Sequence, residues 1–175
     1  MQLVISVTGP NNPKILAAFS QVLVDSHCSL LESRSTVLAN KFSGFWLVEG
    51  NWNHVAKLEN NLEHLAKRLE LQITTTHIEE QEPIPEQLPY IIDIIGTDTT
   101  VMLKKLTAFL TERNINITEL NTSRYPGAHT GTLLFSAHLI VGIPAHSRPI
   151  SLRDEFLDFC DRNGFDAILE PIKQH

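Results

Sequence analysis

The apolar positions of this chain change period several times, and they do so twice in the same order. Leu3-Val4-Ile5-Ser6-Val7 is a short apolar run closed by Gly9-Pro10-Asn11-Asn12-Pro13, the pattern of a buried strand entering a turn. From Lys14 the spacing turns helical: Ile15, Phe19, Val22 and Leu23 share one face, and Pro13 suits a first helical position. Branched and aromatic residues fill 30–38 and 42–48 on either side of Ala39-Asn40-Lys41, which predicts a hairpin. Val55, Leu58, Leu62, Leu65 and Leu69 follow at spacings of 3, 4, 3 and 4, one apolar stripe on a long helix, and residues 71–78 close the unit as a strand.

The second half repeats this order. A strand over 90–95 leads to a helix carrying Met102, Leu103, Leu106, Phe109 and Leu110, and Asn114-Ile115-Asn116-Ile117 opens the next strand. Leu133, Phe135, Ala137, Leu139 and Val141 alternate along its partner, Ser151 with Asp154 reads as a capping box for a helix holding Leu152, Phe156 and Phe159, and 165–172 supplies a last strand. Gly9, Ile15, Phe19, Leu23, Ser29, Leu30 and Glu32 meet Gly96, Met102, Leu106, Leu110, Asn116, Ile117 and Glu119 at one gapless offset (96 − 9 = 87). Solenoid units run to roughly 20 to 50 residues, so this period indicates a duplicated domain. The predicted fold class is α+β: two tandem ferredoxin-like βαββαβ domains, each an antiparallel four-stranded sheet with two helices on one face. Domain 1 is expected over 1–80 and domain 2 over 89–175. Residues 81–88, within the acidic, proline-rich stretch from Glu79 to Pro89, form a linker without periodicity.

Composition narrows the function. With 42% hydrophobic and 19% charged residues the chain is an ordinary globular protein, and its net charge is −6. That charge divides as −4 over 1–88 (six basic, ten acidic) and −2 over the rest (eight basic, ten acidic). Neither half offers a phosphate backbone a basic face, which argues against direct nucleic-acid binding. The amino terminus lacks the basic start and apolar stretch of a signal peptide, and no run approaches the ~20 apolar residues of a membrane span, so a cytoplasmic protein without membrane contact is expected. Cys28 and Cys160 show no CxxC spacing and read as buried free thiols.

No catalytic motif is visible: GxSxG, P-loop, GxGxxG and HExxH are all absent. None of the eight histidines stands at a chelating spacing, so no metal site is expected; His54 and His64 read as surface residues of an amphipathic helix. An acylphosphatase would need an arginine in the first strand-to-helix loop, and neither copy has one. An RNA-recognition module would need aromatics on both central strands, whereas Phe42, Phe45 and Trp46 lie on one and read as core and hairpin packing. His138 points to the open face of its sheet, and Asp98, Glu119 and His138 are polar groups without a catalytic constellation. What remains is the pair of strand-to-helix loops, Thr8-Gly9-Pro10-Asn11-Asn12-Pro13 and Gly96-Thr97-Asp98-Thr99-Thr100. A helix amino terminus with unpaired N–H groups can hold a small acid's carboxylate. Capping by Asn12, Thr99 or Thr100 accounts for the same residues without a ligand.

The stretches Gly9-Pro10-Asn11-Asn12-Pro13-Lys14-Ile15 and His27-Cys28-Ser29-Leu30-Leu31-Glu32-Ser33-Arg34 resemble the ACT domain family of amino-acid-binding regulatory modules. Gly96-Thr97-Asp98 and Asn114-Ile115-Asn116-Ile117-Thr118-Glu119-Leu120 carry the same resemblance in the second copy. It implies candidate small-molecule contacts at Asn11, Asn12, Pro13, Lys14, Ile15, Thr97, Asp98, Thr99, Thr100, Asn114 and Asn116, with no cofactor and no catalytic residue. Lys14 departs from the family pattern, standing where the family has glycine, and the second copy has Thr100-Val101 in place of Pro-Gly. Two such copies without a further domain look like the glycine cleavage system transcriptional repressor group. The implied function is non-enzymatic repression through a LysR-type transcription factor, with glycine or serine as effector and self-association through ACT sheets. The alternative is an allosteric regulatory subunit of an amino-acid metabolic enzyme.

Overall fold

A computed structural model describes residues 1–78, 86–127 and 131–172 of the chain. The chain divides into two compact units, Met1–Glu82 and Pro83–His175. In the first, β1 (Gln2–Pro10), α1 (Lys14–Asp25), β2 (Ser29–Leu38), β3 (Lys41–Glu49), α2 (Trp52–Leu69) and β4 (Gln72–Ile78) form an antiparallel sheet of order β2-β3-β1-β4 with two helices. In the second, β5 (Gln87–Gly96), α3 (Thr99–Glu112), β6 (Asn116–Pro126), β7 (Leu133–Pro144), α4 (Pro149–Asn163) and β8 (Asp166–Pro171) give the order β6-β7-β5-β8. Both are βαββαβ, the α+β ferredoxin-like arrangement that the periodicity predicts.

Each core lies under the helices. Leu3, Ile5 and Val7 of β1 and Phe42, Trp46 and Val48 of β3 pack against Ile15, Phe19 and Leu23 of α1 and the Val55-Leu58-Leu62-Leu65 stripe of α2. Ile92, Ile94, Phe135, Ala137, Leu139 and Val141 meet Met102, Leu106, Leu110 and Phe156 in the same way. Since strand side chains alternate between faces, residues 4, 6 and 8 of β1, and 91, 93 and 95 of β5, are turned to the uncovered face. Phe45 belongs there too, 56% exposed, whereas Phe42 and Trp46 are core residues, so only those two fit the expected packing role. Both edge strands carry a bulge at equivalent positions, between Leu30 and Glu32 and between Ile117 and Glu119. The bulge leaves Leu30 and Ile117 on the helix side and turns Glu32 and Glu119 to the open face.

Several local expectations need correction. Ala39 and Asn40 both have positive φ, 47° and 59°, and Leu38 pairs with Lys41, so the hairpin loop is a two-residue type I′ turn rather than three residues. Helix α4 starts at Pro149, whose fixed φ suits the first helical position; Ser151 therefore lies inside the first turn and is no cap. Residues 79–85, which include 81–85 of the expected linker, lie outside the described residues. Gln87 and Leu88, placed in that linker by their neighbours' composition, belong to β5, because β7 extends to Pro144 and supplies ladder partners at Pro144 and Ile143. Pro89 follows them in a central strand at little cost: its carbonyl accepts from Ile172 N–H, and its missing donor looks past the end of β8.

Cys160 is buried in the second core and Cys28 is half-buried; both are free thiols. Burial, with a smaller contribution from Asp161, pushes the Cys160 thiol from its ordinary 9.0 up to about 12. The folded chain therefore keeps this proton in a window where the unfolded chain has released it. Its contribution to stability is intact below pH 9.0 and is lost as pH rises toward about 12. Urea unfolding below and within this window should show the native chain losing more stability with rising pH than Cys160→Ala; parallel losses would refute the linkage.

Candidate functional site

The two strand-to-helix loops are built alike but finished differently. Gly9 and Gly96 lie close against their units' own cores: a Cβ on Gly9 would stand 2.5 Å from Leu71 Cδ2, and one on Gly96 would stand 3.0 Å from Met102 Sδ. Close approach to the unit's own core explains both glycines without a ligand. In the first loop Asn12 Oδ1 accepts from Lys14 N–H at 2.9 Å, Asn12 C=O accepts from Ile15 N–H, and Asn11 N–H donates to Asn40 C=O. In the second, Asp98 Oδ1 accepts from both Thr100 N–H and Val101 N–H at 3.1 Å. Asp98 is thus the cap of α3, in place of the expected Thr99 or Thr100. Its carboxylate takes the donors that a ligand carboxylate would need, and adds negative charge where that ligand would approach.

The remaining candidates do not converge on these loops. Ile15 is fully buried in the first core, so it faces no ligand, while Asn11, Pro13 and Lys14 are exposed and Asn12 is half-buried. Thr97, Asp98 and Thr100 are exposed, and Thr99 is the first residue of α3. Asn114 adopts the left-handed conformation (φ 53°) that closes α3, its N–H donating to Thr111 C=O, and Asn116 begins β6. Gly96 stands opposite Phe135 and Asn116 opposite Gly142, seven residues along β7 (142 − 135 = 7). At about 3.4 Å per residue this separates Asn116 from Gly96 by roughly 24 Å along the strands of its own unit. A single-unit site combining the two is excluded by the topology, because an α1-type helix carries the chain from one end of the sheet to the other.

The open face of the second sheet holds a group that the candidate set omits. Asp93 on β5 and His138 on β7 are register partners, and His138 Nδ1 lies 2.6 Å from Asp93 Oδ1. Asn121 stands opposite His138 on β6. One pleat along, Ser123 and Ser136 share a hydrogen bond of 2.8 Å. These residues and Ile95 line a groove of about 360 Å³. Asp93 is the charged interruption in the run Ile91-Ile92-Asp93-Ile94-Ile95, a signal legible in the sequence once β5 is placed centrally. A larger groove of about 520 Å³ lies between α2 and β4, but its principal acid, Glu59, is already engaged by Thr75 at 3.1 Å and His77 at 3.2 Å. Among the described residues no group of three or more His, Cys, Asp or Glu could hold a metal ion. Nor is any helix there long and apolar enough to cross a membrane.

The capping assignment is directly testable. Asp98→Ala should cost about 1 kcal/mol of stability, as loss of a cap does, while Thr100→Ala, exposed and outside the cap, should stay within about 0.5 kcal/mol. Equal effects of the two substitutions in urea unfolding would contradict the assignment.

Comparison with known proteins agrees with this architecture. Residues 1–76 match the ACT domain family model. The chain is 22% identical over 160 residues to the glycine cleavage system transcriptional repressor of Escherichia coli (strain K12), covering 90% of this chain and 83% of that protein. The repressor of Shigella flexneri matches with the same figures. Among solved structures, a candidate glycine cleavage system transcriptional repressor superposes with a TM-score of 0.76 at 18% identity, covering 99% of this chain and 98% of the other. A protein of unknown function from Galdieria sulphuraria does so with a TM-score of 0.76 at 24% identity, covering 98% of each chain. Residues 1–76 thus match the ACT domain family model, the second unit repeats the same fold, and the chain is similar through both units to the glycine cleavage system transcriptional repressors.

Proposed function

We propose that the chain is a non-catalytic cytoplasmic regulator that represses glycine cleavage genes by contacting a LysR-type transcription factor, and that free glycine or serine modulates the contact. The observation that carries this reading is the likeness to repressors across 90% of the chain, through both units. The architecture supports an indirect mode of repression. All four helices bury an apolar face against their own sheets, so among the described residues no helix is available to enter a DNA groove. The charge of −6 works against a phosphate backbone as well.

The edge strand β2 supports self-association. All ten of its residues are exposed, and Leu30, Leu31, Val37 and Leu38 present apolar surface beside the unpaired backbone of a sheet edge. Such an edge can be completed by another strand. An effector would act by binding one association state better than another, shifting the population that the transcription factor meets.

Three outcomes are expected. Glycine or serine at tenfold excess over its Kd should stabilise the protein by about 1.4 kcal/mol, seen as a raised melting temperature; a flat response removes the effector part of the proposal. Immobilised protein should retain a LysR-type factor from lysate, and by itself should not shift operator DNA; retention of a metabolic enzyme alone would favour an allosteric subunit instead. Sedimentation should show an oligomer that Val37→Lys weakens, since Val37 is 50% exposed and the change leaves the core intact.

A further inference from the structure

The two open sheet faces share a frame and differ at the centre. Val4 and Leu47 in the first unit correspond by strand register to Ile91 and Ile140 in the second, and Glu32 corresponds to Glu119. Thr36 and Ser43 likewise correspond to Ser123 and Ser136. At the centre, however, Ser6, Phe45 and Arg34 are replaced by Asp93, His138 and Asn121. Nothing in the fold demands the replacement. Asp93 and His138 side chains are 48% and 45% exposed, and half-exposed ion pairs contribute little to stability. The first unit forms the same sheet without them.

We infer that this face of the second sheet is a binding site for a small α-amino acid, held between two rows of polar groups. Asp93 orients the imidazole by taking its Nδ1 side, which turns Nε2 outward beside the free carboxylate oxygen. That row offers acceptors to an ammonium group. The adjacent row offers the hydroxyl of the Ser123–Ser136 pair not spent on their mutual bond, and Asn121, at the β6 end of the Asp93–His138 row, adds an amide donor across the gap. These donors suit a carboxylate. The rows are two residues apart along the strands, about 7 Å. Two hydrogen bonds of about 3 Å placed at an angle on either side of an N–C–C–O backbone bridge that gap. Ile95 lines the groove beside both rows and Ile91 lies farther along the same face, so a small aliphatic or hydroxymethyl side chain fits against it.

The inference rests on the amino-acid-responsive part of the proposed function but moves the ligand from the helix termini to the sheet. The two can be told apart in one experiment. Isotope-labelled full-length protein is titrated with glycine and with serine while amide shifts are followed by NMR, with methylamine and acetate as single-function controls. Saturable shifts centred on Asp93, Asn121, Ser123, Ser136 and His138 are expected, weakened at least tenfold by Asp93→Asn and by Ser123→Ala, with unaltered melting of both variants in the absence of ligand. Ser123 lies exposed on an edge strand, so its substitution remains informative should Asp93→Asn fold poorly. Shifts confined to residues 9–15 or 97–100 and indifferent to both substitutions would overturn this site while leaving amino-acid sensing intact. No saturable shift with either amino acid would overturn both. Equal binding of methylamine or acetate alone would overturn the two-row recognition.

Discussion

The period of two along the central strands is the constraint from which the rest follows. Leu3, Ile5 and Val7 of β1, and Ile92 and Ile94 of β5, must lie under helices because each is almost wholly buried there. Side chains between them are then committed to the other face, whatever their chemistry. A slip of one residue in β5 would drive Asp93 beneath α3 and α4 and turn Ile92 and Ile94 out to the open face. The same commitment positions His138, since Leu139 and Ala137 on either side of it are core residues. The Asp93–His138 pair is therefore placed by hydrophobic packing on the opposite side of the sheet, which costs far more to disrupt than the pair itself contributes.

Much of this was legible in the sequence because helical and strand periods in this chain seldom compete. The stripes of α1 to α3 are regular, and the same order of six elements recurs, its first three at one offset. Two of the misreadings share a cause: they concern backbone positions set by a partner elsewhere in the chain. Ala39 adopts positive φ because the register of β2 and β3 leaves two residues for the turn. Gln87 and Leu88 look like linker by composition and become strand because Gly142, Ile143 and Pro144 are there to pair with what precedes Tyr90. Asn114 and Asn116 resemble ligand contacts by motif, yet they cap a helix and start a strand at the end of the sheet remote from the Gly96 loop. Neighbour composition carries no information about register.

The helix termini illustrate how local chemistry decides between two uses of one site. An uncapped helix amino terminus attracts an anion through its free N–H groups and dipole. Asn12 leaves that dipole uncompensated by charge, whereas Asp98 neutralises it and occupies two donors. The two loops, equivalent by descent from one repeat, cannot present the same potential to a carboxylate. A terminus already holding its own carboxylate is a stable end for α3 and a poor receptor.

The open faces carry the complementary asymmetry. In the first unit the ion pair on the face is Glu32 with Arg34, two residues apart on an edge strand, and both are more than half exposed. In the second it joins the two central strands, each laddered on both sides. Groups fixed by two neighbouring ladders lose little freedom when a ligand arrives, so they bind at lower entropic cost than side chains on a free edge. The more apolar edge, by contrast, belongs to the first unit: β2 exposes Leu30, Leu31, Val37 and Leu38, whereas β6 exposes Leu120 and Tyr125 among the polar Asn121, Thr122, Ser123 and Arg124. Rigid polar groups suit recognition of a small polar molecule, and an exposed apolar edge suits association with another chain. A regulator needs both, and duplication followed by divergence lets one fold supply them from separate copies.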